Sequence, residues 1–501
     1  MQIQKTLQFV ILALLSLSFL AGCGNAAEPP AITETIAAES PTLTQPPIPP
    51  TPAPGAPGIG DSLYPNFGNG GYDVLHYTLD LTVEDVAASN LDAVVAIEAK
   101  ATQALSSFNL DFIGFAIESI TVNDELAAFE RAGQELTVTP AQSLATGETF
   151  IVQVTYSGAP EEVNSVAGEG LVGWVAYEGG TFVLSEPDGA ANFFPLNDHP
   201  LDKAAYTLRV TVPKPFEVAA NGTLQETVDQ GDRTTFVWEM RDPMAGYLTT
   251  INIGEFDLET EQSPQGTPIR NYYPLGLAEE YRQLFSRQGE MLDFYSEIFG
   301  DYPFEVYGSI VIDTEMETAL ESQTLSIYGT DMLDLEDVPS TEQLIAHELT
   351  HQWFGDSVSL ADWGDLWLNE GFATYAEGLW VEHTEGAAAL DEWVSDTYRY
   401  VAESGGELIP PGDPPADDLF NEGVYCRGAL TLHALRLEVG DEAFFEIAQT
   451  YHERHQGGNA RTEDFIAVAE EISGEELDAF FDAWLYAPEM PPIPALGLAV
   501  K

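Results

Sequence analysis

His347-Glu348-Leu349-Thr350-His351, followed by Leu366-Trp367-Leu368-Asn369-Glu370-Gly371-Phe372-Ala373, is the stretch on which the reading of this 501-residue chain turns. Ser340 and Gln343 suit a capping box, so a helix is expected to start just upstream. On a helix, residues four apart sit one turn apart on the same face. His347 and His351 are therefore able to present imidazole nitrogens to one metal ion. Glu348 lies beside them, placed to take a proton from an attacking water. Two such histidines also suit an ordinary exposed helix face. A catalytic zinc site, however, takes a third protein ligand and keeps one position open. Glu370, separated from His351 by eighteen residues and on what reads as a second helix, is the candidate for that ligand.

On either side of this stretch the chain divides by its periodicity. From about 66 to 258 apolar residues recur with period two. In Tyr72–Val83, Leu75, Tyr77, Leu79, Leu81 and Val83 are expected on one strand face, and similar runs follow at 94–101, 150–156, 206–213 and 234–240. Asn221-Gly222 reads as a turn rather than as a glycosylation acceptor. After about 258 the spacing becomes helical, first over 278–298, with one strand-like run at Tyr307–Ile312. The fold class expected is thus multidomain, an all-β domain followed by a helix-rich α+β domain.

The N-terminus reads as an address. Residues 1–22 hold Lys5 and then an apolar stretch, short for a membrane span, that ends at Cys23. Residues 23–65 are rich in Pro, Ala, Thr and Ser, without apolar period, and read as a disordered stalk reaching up to roughly 100 Å. Acidic residues number 82 against 17 Lys plus Arg, a formal net charge of −65. Such a surface repels phosphate backbones, so nucleic acid is not an expected partner. The acidity fits a salty or acidic habitat and equally a preference for cationic substrates. With Cys23 otherwise engaged, Cys426 has no intramolecular partner, which excludes a disulfide scaffold.

Leu20-Ala21-Gly22-Cys23 resembles the lipobox of bacterial lipoproteins, which implies a signal peptide at 1–22, a lipid on Cys23 and an extracytoplasmic location, anchored to a bacterial membrane or cell surface. His-Glu-x-x-His with its downstream Asn-Glu-Gly-Phe-Ala resembles the aminopeptidase N family of zinc metallopeptidases, of the gluzincin type. Further marks of that family follow in order over residues 70 to 490. Thr318-Ala319-Leu320-Glu321-Ser322 stands where the family has Gly-x-Met-Glu-Asn. The resemblance implies that Ala319 and Glu321 line the peptide-binding edge and that Glu321 binds the substrate's α-ammonium. Three departures, Thr318, Leu320 and Ser322, leave the substrate register open. Ser185-Glu186-Pro187 and the following residues to Pro195 resemble the family stretch that completes the amine pocket, which implies that role for Glu186. His199, a little further on, reads as structural. Val424-Tyr425-Cys426-Arg427-Gly428 resembles the family's Tyr-x-Lys-Gly segment, so Tyr425 is the implied oxyanion donor. Arg427 stands in for Lys, and Cys426 reads as a packed thiol.

The resemblance therefore implies an aminopeptidase with one Zn2+ per chain, held by His347, His351 and Glu370, acting on peptides with a free N-terminus. It implies a β-sandwich or saddle-like domain at 66–258 and a thermolysin-like catalytic domain at 259–495. Phe480 to Leu485 resembles the end of that domain, and larger relatives continue into a helical domain covering the cleft, so a short form with a more open site is expected. The alternatives are a related zinc hydrolase on the same scaffold, an endopeptidase or epoxide hydrolase, and a non-catalytic surface binding module.

Overall fold

Alternating apolar residues form strands because each places one side chain in two against the core. In the computed structural model, which describes residues 51–168, 170–403 and 409–499, this alternation builds three sheets before residue 255. The largest has eight strands, with Tyr72–Asp85 near its centre, antiparallel to Asn90–Ala101 and parallel to Ala204–Pro213. Tyr77, Leu79, Leu81 and Val83 face the core as expected, but Leu75 does not. A bulge between Val74 and His76 makes Leu75 the extra residue, so it turns to solvent and Val74 takes the core position.

The second region follows as an α+β unit. Its five-stranded sheet runs in the spatial order Phe256–Gln262, Pro268–Pro274, Tyr307–Ile312, Ser326–Gly329 and Ala319–Leu320. The expected boundary at 258 falls inside the first of these strands, which pairs along its whole length with the second. Ala319–Leu320 is a short antiparallel edge, and the chain leaves it directly into Glu321. The helical pattern at 278–298 is split into Glu279–Gln283 and Gln288–Phe299. Buried Gln288, bonded to Asn271 and Ser309 of the sheet, fixes the start of the second piece.

The helix bearing His347, with His351 as its C-cap, is Val338–Thr350. Its start differs from the expected capping box: Asp337 is the cap, accepting from the Ser340 N–H and hydroxyl, while Gln343 reaches back to the Pro339 carbonyl. Pro339 in the first turn, lacking an N–H, favours this earlier start. The second helix, Trp367–Glu385, is buried along most of its first half.

The expected signal 1–22, Cys23 and stalk residues up to 50 lie outside the described residues. The rest of the stalk, 51–65, is not disordered. Ala53 pairs with Leu105, and buried Asp61 accepts from the backbone N–H groups of Leu63, Tyr64 and Trp363 and bonds His199 Nε2 at 3.0 Å. Proline content hid this, because the segment is held by strand pairing and scattered polar contacts rather than by an apolar stripe: besides Asp61, Ser62 bonds Asp362 and the Tyr64 hydroxyl donates to the Ala416 carbonyl. The two folded regions are further joined by Lys203, whose ammonium donates to the carbonyls of Asp356, Ser357 and Gly458. Asn221 joins them as well. It is fully buried and donates to the carbonyls of Leu248 and Gln323, with Gly222 following in the left-handed region. Asn221-Gly222 thus turns the chain between strands of two different sheets.

Candidate active site

One turn of the Val338–Thr350 helix brings His347 and His351 side by side, their ring centroids 4.8 Å apart. Glu370 enters from the second helix. Its Oε2 lies 3.1 Å from His347 Nε2 and 3.4 Å from His351 Nε2. A tetrahedral ion with bonds of about 2.0–2.1 Å holds its ligand atoms about 3.3 Å apart. The three side chains thus already stand at the spacing a zinc-sized ion requires, and they form a cluster able to hold a metal. The other imidazole nitrogens are engaged. His347 Nδ1 contacts Glu377 Oε1 at 2.8 Å and His351 Nδ1 contacts the Phe354 carbonyl at 3.1 Å, which leaves both Nε2 atoms facing Glu370. Burial raises the Glu370 carboxyl, but His351 and His347 outweigh it and draw the pKa down to about 2.

This cluster lies at the base of a cleft of about 390 Å³. The cleft collects every other residue picked out from sequence: Glu186, Ala319, Glu321, Glu348 and Tyr425 all line it. Glu348 is buried, and burial pushes its pKa up to about 8 against the opposing pull of the two imidazoles. Tyr425 is half-buried, its ring parallel to that of His347 at 5.9 Å. It sits in a π-helical turn, Gly423–Arg427, a distortion that often marks functional sites. Glu321 is 2 % exposed, with Oε1 unpaired; Glu186 is less enclosed, but its Oε1 is also buried and unpaired. Burial raises both carboxyls, and in Glu186 the charge of Glu321 adds to the effect.

Several positioning residues carry no motif signal. Gln352, one residue past His351, donates to the Glu321 carbonyl and accepts from the Thr324 N–H, so the metal helix itself clamps the segment bearing Glu321. From the β region, Asn221 and Gly222 hold Gln323 and Thr324 in the same way. Glu377 lies two turns beyond Glu370, a seven-residue spacing that would have put it on the same helix face. Gly371 and Gly428 meet where the second helix crosses the one that follows Tyr425. A Cβ on either glycine would come within 3.0 Å of the other's backbone. Arg427 is fully buried and donates to the carbonyls of Ala483, Trp484 and Ala487, fastening the Tyr425 turn to the helical turn Asp482–Tyr486 and the residue after it. Cys426 is partly buried and contacts Glu422, and burial pushes its thiol far up, which keeps it protonated.

Comparison with known proteins bears on the whole folded part. Residues 73–248 match the Peptidase M1 N-terminal domain and residues 284–484 the Peptidase family M1 domain. The chain is similar to the crystal structure of an M1 zinc metallopeptidase from Deinococcus radiodurans, with 32% identity and a TM-score of 0.79 over 87% of this chain and 99% of that one. A variant of that peptidase, bound to a Tyr-Ser-Ala substrate, superposes with a TM-score of 0.80 at the same identity and coverage. Glutamyl aminopeptidase of Homo sapiens is 32% identical over 318 residues, 60% of this chain and 33% of the relative. Aminopeptidase M1 of Arabidopsis thaliana is 29% identical over 320 residues, 60% of this chain and 36% of the relative. The chain spans about a third of the length of these curated relatives. Among the described residues, no helix is long and apolar enough to cross a membrane.

Proposed function

The chain belongs to peptidase family M1, and we propose that it is a zinc-dependent aminopeptidase hydrolysing the N-terminal peptide bond of peptides. One observation carries this reading. The His347–His351–Glu370 cluster shares its cleft with two further carboxyls, Glu186 and Glu321, each holding an oxygen that no protein group satisfies. Neighbouring carboxyls with spare acceptor capacity are relieved by a cation, and the cation every unblocked peptide brings is its α-ammonium. Similar structures support this: a variant of the Deinococcus radiodurans M1 zinc metallopeptidase is bound to a Tyr-Ser-Ala substrate, and variants of a two-domain M1 zinc metallopeptidase are bound to L-tryptophan and L-arginine.

Zinc held by His347, His351 and Glu370, one ion per chain, supplies Lewis-acid polarisation of the scissile carbonyl and lowers the pKa of the attacking water. Glu186 and Glu321 hold the ammonium and so fix the first peptide bond over the three ligands, with Ala319 on the strand edge beside it. Glu348 takes the proton of the attacking water and later gives it to the leaving amine. Tyr425 remains a phenol, because burial and the surrounding carboxylates hold its pKa far up, and its hydroxyl donates to the oxyanion.

The test is a set of aminoacyl anilides and short peptides, free and N-acetylated, assayed with and without chelator. Chelator-sensitive release from the free substrates is the expected result. Equal rates on N-acetylated peptides would support an endopeptidase instead. We further propose that Cys23 carries a diacylglycerol that anchors the protein outside the cytoplasm, on the strength of the lipobox-like Leu20-Ala21-Gly22-Cys23. Cys23→Ser should then move the protein from the membrane fraction to the soluble one, and an unchanged distribution would sink the anchor.

A further inference from the structure

Among the described residues, five carboxyl side chains line the cleft and no Lys or Arg does. Four of them have work in the reaction described above. The fifth, Glu317, is exposed on the rim, and no cation in the described residues pairs with its carboxylate. Its backbone is held in place. Asp331 accepts from the N–H groups of Met316 and Glu317, at 3.0 and 2.9 Å, and Glu317 sits in the left-handed region at φ 58°. A long side chain seldom adopts that conformation, and it persists here because the Asp331 carboxylate fixes the turn.

We propose that this cleft selects peptides whose N-terminal residue is lysine or arginine, and that Glu317 is the specificity-determining residue that reads the cationic side chain. The proposal rests on the aminopeptidase reading. Glu321, whose buried Oε1 is unpaired, marks where the α-ammonium is held. Glu317 lies four residues upstream, at most about 13 Å away along an extended chain. An extended lysine or arginine side chain, together with the two glutamate side chains, spans that gap. Met316, Leu320 and Phe420 line the cleft as well and supply apolar surface for the methylene stem, while the charged head stays near solvent at the rim. An acidic N-terminal residue would instead bring a second carboxylate up to the exposed one of Glu317.

The experiment compares lysyl and norleucyl anilides, which share a chain length and differ in charge, on the zinc-loaded protein and on Glu317→Gln. The parent should favour lysine in kcat/KM, and E317Q should lower the lysine-to-norleucine ratio about three- to fivefold, the upper range of an exposed ion pair. Raising salt from about 0.05 to about 0.5 M should lower the parent ratio and move the E317Q ratio less. If both substrates are cleaved with no preference for lysine, or if E317Q keeps the parent ratio within about twofold, the inference is overturned and the aminopeptidase reading stands. If neither anilide is cleaved, both fall together.

Discussion

His347, His351 and Glu370 come from a single stretch, 347–370, and two adjoining helices, whereas Glu186 and Glu321 come from opposite sides of the join between the β and α+β regions. The charges differ as much as the origins. In the metal half, a carboxylate stands between two imidazoles, and Glu377 adds a second carboxylate behind one of them. Cation and anion alternate there without any ligand. In the other half carboxyls face one another, and each leaves an oxygen unpaired. In the metal half, helix geometry pairs the two histidines and the packing of the second helix brings Glu370 to them. The segment that carries Glu321 is held in place by Gln352, Asn221 and Gly222.

The largest expected effect breaks the metal half. Glu370→Gln removes an anionic ligand, so bound zinc should fall from one per chain to a small fraction, with activity down by about 10³-fold or more. Metal analysis beside the anilide assay checks this, and retention of full zinc would remove Glu370 from the ligand set. Next comes the carboxyl half. Glu321→Ala and Glu186→Ala should raise KM and lower kcat on unblocked substrates, together about 10²- to 10³-fold in kcat/KM, the cost of losing a desolvated charge contact. Zinc content should not change in either variant. Zinc loss there would mean that the two halves are not separate.

The same contrast explains what the sequence made legible. Ligands four residues apart on one helix are visible because the helical repeat places them without knowledge of the rest of the fold. Within Tyr72–Val83 the strand pattern was equally readable except at Leu75, where a bulge interrupts the alternation that the reading assumed, while strands such as Leu105–Asp111 and Gly180–Leu184 were not picked out. Glu186 and Glu321 were found through family resemblance alone, since no local period relates a loop after one sheet to the edge strand of another. Gln352, Asn221 and Asp61 stayed hidden because each acts through backbone groups far away in sequence, and a polar residue bonded to a distant carbonyl looks like any surface residue until the chain is folded.

A smaller effect sharpens the account of the metal half. Glu377 touches His347 Nδ1 and is expected to fix that ring and increase its basicity as a ligand. Glu377→Gln keeps a hydrogen-bond acceptor but removes the charge, so zinc affinity should fall about 10- to 100-fold while saturating zinc restores most of the rate. A competition titration against a chelator reads this directly. A variant that cannot be rescued by added zinc would place Glu377 in the folding of the helix pair instead.

The smallest effect concerns stability without metal, where the two halves should respond to pH with opposite sign. The Glu370 carboxyl is drawn down to about 2 in the folded protein, so its contribution is present above the unfolded value near 4.5 and is lost as pH falls towards 2. The Glu321 and Glu186 carboxyls are raised in the folded protein. It therefore binds more protons than the unfolded chain between the unfolded value and the raised one, and stability declines as pH climbs through that window. In chelator-treated protein at pH 8, Glu370→Gln should lower Tm by about 2–4 °C, while Glu321→Gln should raise it by a similar amount. At pH 4.5 the gain from Glu321→Gln should shrink, because the parent carboxyl is then protonated and no longer repels its neighbours. Melting curves of the two variants at both pH values decide the matter. A Tm for Glu321→Gln below the parent at pH 8 would show that this carboxylate is balanced within the protein, and the contrast between the halves would then lie in their sequence origin alone.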